Sequence, residues 1–222
     1  MKLTLHARLL LGHVLPVLIL VPLMGVALTY LLEKQCRRNA LEVMTRMNSL
    51  HSVAINVCPS VLMMTEPGEQ APLLFEELMD VKDRIILELT ERFSIHNYDD
   101  FFEIIEFYRK NGFRIALDDL GSGFTRLKLL TRTQPSLIKI DRFLISGIDR
   151  DMKKQMLMES IISFCRKIGA RVAAEGIETA SELETVMNMT VDLAQGYYLC
   201  PPQENPRPCF PAVKTMITET MR

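Results

Sequence analysis

The sequence predicts an α/β protein: parallel βα units, about six strands, following a single membrane-spanning helix. Three observations lead there. Short apolar runs rich in β-branched residues alternate with amphipathic stretches of helical period along most of the chain. Acidic residues recur where those runs end. The segment Leu9–Leu32 holds no Asp, Glu, Lys or Arg.

That first segment reads LLLGHVLPVLILVPLMGVALTYLL, long enough for a hydrocarbon core that needs about 20 helical residues. Pro16 and Pro22 are better tolerated in such a helix than in a soluble one. No convincing small-residue cleavage site marks it as a secretory signal, so an uncleaved anchor is expected, with a cleaved signal or a buried hairpin as the alternatives. Lys34, Arg37, Arg38 and Arg46 follow it, against Lys2 and Arg8 before it, so the positive-inside rule places the C-terminal body in the cytoplasm. The expected organisation is a membrane anchor over 1–32 and one domain over 33–222, single-pass in a bacterial inner membrane.

The strands expected behind it are Val53–Val57, Ile85–Leu89, Arg114–Asp118, Leu137–Ile140, Arg171–Ala174 and Val191–Ala194. Helices are expected over Glu33–Asn48, Leu73–Met79, Asp99–Asn111 and Met152–Ile168, with a last one near the C-terminus. In the third, Phe101, Ile104, Ile105 and Tyr108 form the apolar face and Gly112 the stop; in the fourth, Leu157, Ile161, Phe164 and Ile168 form it and Gly169 the stop. Ser181 with Glu184 carries a capping-box signature for one more short helix. A closed (β/α)8 barrel needs eight strands, so either two are missing or the sheet is open.

Composition removes several function classes. A net charge of −1 gives no basic field for nucleic acid. Five cysteines without a CxxC pair make neither a disulfide framework nor a zinc ribbon, and four scattered histidines offer no zinc site.

The chemistry is expected where strands end. Glu88 and Glu91 lie at the end of the second strand, in ILELTER, and Asp118 and Asp119 in IALDDLGSG. Lys139 and Asp141 follow in IKID, Glu175 and Glu178 in AAEGIET, and Gln195 with Gly196 after the last strand. Carboxylates at the C-terminal ends of successive parallel strands converge on one mouth. A set of carboxylates without cysteine or histidine is a hard oxygen site, suited to Mg²⁺ or Mn²⁺. Two such ions can activate water against a phosphodiester, with Lys139 orienting that water or paired structurally with a neighbouring acid.

At these residues the sequence resembles the EAL family of cyclic di-GMP phosphodiesterases. The likeness runs from about residue 33 to 205 through AINVCP, ELTER, ALDDLGSGF, IKIDR, AEGIET and DLAQGYY, in order. It implies a TIM-type barrel, here incomplete with about six of eight strands, and hydrolysis of cyclic di-GMP to linear pGpG with two divalent metals. It also implies Asn56, Glu88, Asp118, Asp119 and Glu175 as metal ligands, with Lys139, Glu175 and Asp119 in the catalytic centre. Gln195 and Asp141 would meet the substrate. Glu91, Gly121 and Gly123 would steady the DDLGSG loop, through which the family forms a homodimer.

The chain departs from the family in lacking the Glu-Ala-Leu strand, with its metal-binding glutamate, and the arginine after it. Leu120, Ser122, Phe124, Thr125 and Arg126 replace the commoner loop residues, and NVCP replaces NLSP. A non-catalytic regulator that binds cyclic di-GMP or another protein, or a non-functional fragment, are the alternatives these departures raise.

Overall fold

The computed structural model describes residues 31, 34–42, 44–45, 52–63, 73–89, 97–120 and 125–202. The chain divides into two compact units, Met1–Met47 and Asn48–Arg222. In the first, residues 34–42 are helical, within the helix expected there, and the Gln35 amide donates to Asn39 Oδ1 at 2.9 Å. Among the described residues no helix is long and apolar enough to cross a membrane. The apolar segment 9–32 lies almost wholly outside the described residues.

The second unit is built on one six-stranded, all-parallel sheet: β1 (Val53–Val57), β2 (Ile85–Leu89), β3 (Arg114–Leu120), β4 (Leu137–Ile140), β5 (Arg171–Ala174) and β6 (Leu193–Ala194). Strand order follows chain order, so each strand pairs with the next in sequence. Parallel neighbours need a crossover, and the intervening segments supply it. These hold α1 (Pro59–Leu62), α2 (Leu73–Leu78), a 3₁₀ turn (Met79–Arg84), α3 (Tyr98–Lys110), α4 (Thr125–Thr133), α5 (Arg142–Ile145), a second 3₁₀ turn (Ile148–Arg150), α6 (Met152–Lys167) and α7 (Ala180–Asn188).

Strand periodicity splits the sheet into two faces. Ile85, Leu87, Leu89, Ile115, Leu117, Ile138, Ile140, Val172 and Ala174 lie on one face and are buried. Ile86, Ala116, Leu137 and Ala173 share the opposite face and make one buried apolar layer. Two residues further along β2, β3 and β4, and just past the end of β5, that face carries Glu88, Asp118, Lys139 and Glu175. The apolar layer is thus the floor on which the polar residues stand, the layered filling expected of a (β/α) barrel interior.

Helix ends follow local chemistry. Asn97 caps α3, accepting from Asp99 N at 3.0 Å, and Asp151 caps α6, accepting from Lys153 N at 2.9 Å. Past their C-termini, Gly112 and Gly169 adopt φ of +90° and +75°, as expected of glycines in that position. Under α3, Phe75, Phe107, Tyr108 and Phe113 stack edge-on or tilted with centroids 4.9–6.0 Å apart.

Several expectations require correction. β3 runs two residues further than expected, to Leu120, and β6 is only Leu193–Ala194. α3 buries Phe102 beside Phe101, Ile105 and Tyr108, while Ile104 is half-buried. α6 buries Met158, Ile162 and Cys165, leaving Leu157, Phe164 and Ile168 exposed. That helix carries two adjacent apolar stripes, and periodicity alone does not say which one meets the sheet. The capping box of α7 is Thr179 with Glu182, not Ser181 with Glu184. Four residues of separation from Thr179 to Leu183 then set the buried face. The expected C-terminal helix lies outside the described residues.

Candidate metal centre

Glu88 stands on β2, Asp118 on β3, Lys139 on β4 and Glu175 immediately after β5, so four successive strands deliver one side chain each to a single point. Lys139 Nζ lies 2.5 Å from Glu88 Oε1, 3.1 Å from Asp118 Oδ1 and 2.7 Å from Glu175 Oε1. Asn56 is paired in register with Glu88 across β1 and β2, which puts it on the same row and the same face.

Asp119 reaches this cluster by a different route. Consecutive residues in a regular strand point to opposite faces, so Asp118 and Asp119 should diverge. The register between β3 and β4 breaks between Leu117 and Leu120, and Asp119 adopts φ of +53°. The bulge re-aims the side chain, as bulges beside functional sites do. Asp119 N donates to Asp118 Oδ1 at 3.0 Å, which holds the turn. As a result Asp118, Asp119 and Glu175 each offer an oxygen, and these oxygens lie within 4.8 Å of one another.

Electrostatics follow from burial. Glu88 is 4% exposed, and desolvation pushes its carboxyl up to about 7 even with Lys139 pulling the other way. Glu175 is raised as well, by burial first and by the neighbouring aspartates. Burial alone would lower Lys139, but its bonds to Glu175 and Glu88 outweigh that and hold the ammonium above its usual range.

The donor set fits a hard divalent cation. It consists of carboxylate oxygens on a rigid sheet, half-buried, with a positive charge already drawn into their midst as a stand-in ion. Asp118, Asp119 and Glu175 are the residues that would hold such an ion, with Glu88 and Asn56 beside them.

The remaining expected residues fall elsewhere or outside the description. Asp141 caps α5, accepting from Phe143 N at 2.7 Å, and is absent from the carboxylate cluster. Gln195 follows β6 and lines a separate cavity of about 460 Å³ with Arg142, Gly176, Glu178, Gly196, Tyr197, Cys200 and Pro202. Glu91, Gly121 and Gly123 lie outside the described residues. Arg142 and Tyr197, which lie in the motifs IKIDR and DLAQGYY without an expected role of their own, also line that cavity.

Two glycines shape the cavity wall. A Cβ on Gly176, whose φ is +71°, would lie 2.6 Å from Arg142 Cγ. A Cβ on Gly196 would lie 2.1 Å from the Ile177 carbonyl oxygen. Both positions are therefore closed to any larger residue unless the backbone moves.

The EAL domain family model matches residues 13–202. The chain belongs to the EAL domain family. Its match begins inside the apolar segment, upstream of the motifs that carry the resemblance in sequence. Among curated proteins it is 33% identical over 146 residues to the Escherichia coli blue light- and temperature-regulated antirepressor BluF, covering 65% of this chain and 36% of BluF. It is 26% identical over 184 residues to the probable cyclic di-GMP phosphodiesterase PdeG of the same organism, covering 80% of this chain and 35% of PdeG. This EAL chain thus spans about a third of the length of these curated relatives.

Among solved structures it matches a cyclic di-GMP-bound standalone EAL protein of Vibrio cholerae with a TM-score of 0.71 and 27% identity, covering 83% of this chain and 79% of that one. It matches the manganese and cyclic di-GMP complex of Klebsiella pneumoniae BlrP1 with a TM-score of 0.64 and 29% identity, covering 81% of this chain and 45% of that one. Six parallel strands with crossover helices are therefore the EAL α/β fold in this chain.

Proposed function

We propose that this EAL domain is of the cyclic di-GMP phosphodiesterase type, opening the cyclic dinucleotide to linear pGpG with two divalent ions, Mg²⁺ or Mn²⁺. The observation that carries this reading is the row of Glu88, Asp118, Lys139 and Glu175 on four adjacent strand ends, with Asp119 turned into it. It is supported by relatives named as phosphodiesterases and by structural neighbours holding the dinucleotide with manganese.

Divalent ions bound there supply Lewis-acid polarisation of the phosphodiester and acidify a water. The protein's part is positioning. Asp118, Asp119 and Glu175 converge to hold the ions, with Asn56 and Glu88 on the row beside them. Lys139, kept protonated by its carboxylate partners, acts as a donor that orients the water or the phosphate rather than as a base. Ile86, Ala116, Leu137 and Ala173 close the floor against solvent.

The purified chain incubated with Mn²⁺ and cyclic di-GMP, with products separated by chromatography, tests the reading. pGpG should accumulate, and Asp118→Asn should abolish it. Dinucleotide that stays intact under those conditions, while a complete EAL phosphodiesterase consumes it, counts against catalysis. It would favour the second reading, a dinucleotide- or protein-binding regulator. That reading draws on the missing Glu-Ala-Leu strand and on the likeness to BluF, an antirepressor.

The apolar run of residues 9–32 supports a membrane anchor with the EAL domain on the cytoplasmic face of a bacterial inner membrane. Protein that leaves the membrane fraction on alkaline extraction would remove this part of the proposal.

A further inference from the structure

The capping box of α7 does more than a cap requires. Glu182 Oε2 accepts from Glu178 N at 2.9 Å and from Thr179 N at 3.1 Å, while Thr179 Oγ1 accepts from Glu182 N at 3.2 Å. A solvent-exposed glutamate would complete such a box equally well. Glu182 is instead 5% exposed, and its other oxygen, Oε1, accepts from Gly147 N at 2.8 Å, 35 residues away in the chain.

Burying a carboxylate costs free energy unless its oxygens are satisfied, and here three backbone amides satisfy them. Those amides belong to two loops. Gly147 closes the segment after β4 and α5, where it takes a left-handed φ of +70° and opens the second 3₁₀ turn. Glu178 and Thr179 close the segment after β5, in which residues 175–178 have no regular structure. One side chain thus ties the exit of β4 to the exit of β5.

Both exits start at the carboxylate row. Lys139 stands inside β4, whereas Glu175 lies one residue past β5, and Lys139 Nζ is 2.7 Å from Glu175 Oε1. Glu175 N donates to Ile140 O at 3.2 Å, and Gly176 after it adopts φ of +71°. Glycine resists rotation least, so the loop depends on what fixes it further on. There Ile177 N donates to Gln195 O at 3.1 Å, and the next two amides go to Glu182. Groups that hold ligand residues in place change metal affinity when they are lost.

We propose that Glu182 is a positioning residue for the cation site: it clasps the loops after β4 and β5 and so fixes where Glu175 stands. The inference rests on the phosphodiesterase-type reading of the carboxylate row, and it adds a residue whose described bonds reach none of the row's side chains. Such coupling is reciprocal. A clasp that favours cation binding is itself favoured by the cation, by the same factor.

Two measurements on the full chain test it. In Glu182→Gln the side chain keeps one oxygen for Glu178 N and Thr179 N but turns an NH₂ toward Gly147 N, which cuts the tie between the loops. Its Mn²⁺ dissociation constant, read by electron paramagnetic resonance, should rise about fivefold or more. Ile162→Ala, a cavity in the core under α6, should leave that constant unchanged although it destabilises the fold. The second measurement uses wild-type protein alone, so it holds if Glu182→Gln misfolds. Saturating Mg²⁺ should slow hydrogen exchange at the Gly147, Glu178 and Thr179 amides by a similar factor, and more than at the amides of α6. Wild-type Mn²⁺ affinity in Glu182→Gln, an equal loss in Ile162→Ala, or exchange at the three amides indifferent to Mg²⁺ overturns the clasp alone. A wild type that binds neither ion overturns it together with the functional reading beneath.

Discussion

Lys139 is held by three carboxylates at 2.5–3.1 Å, so a single ammonium neutralises much of the charge that four strands bring together. Removing one partner of a buried ionic cluster leaves the others uncompensated, at a cost of about 3–5 kcal/mol. Lys139→Met should therefore lower the unfolding free energy of chelator-treated protein, read from urea melts, by that order. Added Mn²⁺ should restore a large part of the loss, because it supplies the missing positive charge. Glu182 shows a second kind of tie, accepting from Gly147 N at 2.8 Å, Glu178 N at 2.9 Å and Thr179 N at 3.1 Å. These bonds hold its carboxyl below the usual range despite the opposing effect of burial. With the folded pKa below the unfolded one, the stabilisation is present above the unfolded value near 4.5 and is lost as pH falls through the folded value. Glu182→Gln should lose about 1–3 kcal/mol at pH 7 and lose much less further stability than wild type on acidification below pH 4.5, as denaturant melts at several pH values will show.

At the scale of elements, α6 gives the sharpest contrast between pattern and packing. Ile162 is 3% exposed and Leu157 53%, although both sit on apolar stripes of the same helix. Ile162→Ala should cost about 2–4 kcal/mol in denaturant melts, and Leu157→Lys should stay within about 0.5 kcal/mol of wild type. The strands were far more legible. Val53–Val57, Ile85–Leu89, Leu137–Ile140 and Arg171–Ala174 fall where they were expected; in β2, buried at all five positions, a strand covered on both faces needs a continuous apolar run. The same rule placed Glu88, Asp118, Lys139 and Glu175 at one mouth. Asp119 was expected at the mouth beside Asp118, but its route there was hidden, since a bulge leaves no periodic mark in sequence. Arg142 and Glu178 meet where Gly176 leaves room for the arginine stem, and that contact, between the first residue of α5 and the loop before α7, has no spacing rule behind it.

For the whole molecule, stability and cation binding should be linked. Ions that bind only the folded mouth stabilise by about 2.7 kcal/mol at a concentration one hundred times the dissociation constant. The melting temperature should rise with Mn²⁺ or Mg²⁺ and fall back on chelation, and Asp118→Asn should flatten the response. A melting curve indifferent to both ions would remove the divalent site.

The strand order has a consequence for how the molecule is made. Because β1 to β6 join in the order in which they are synthesised, each unit leaving the ribosome can add to an edge already formed, with no wait for distant sequence. The carboxylate row is complete once Glu175 has emerged, whereas Gln195 and Tyr197 arrive last with β6 and the turn after it. The growing chain therefore completes its carboxylate row before the wall that carries Gln195 and Tyr197.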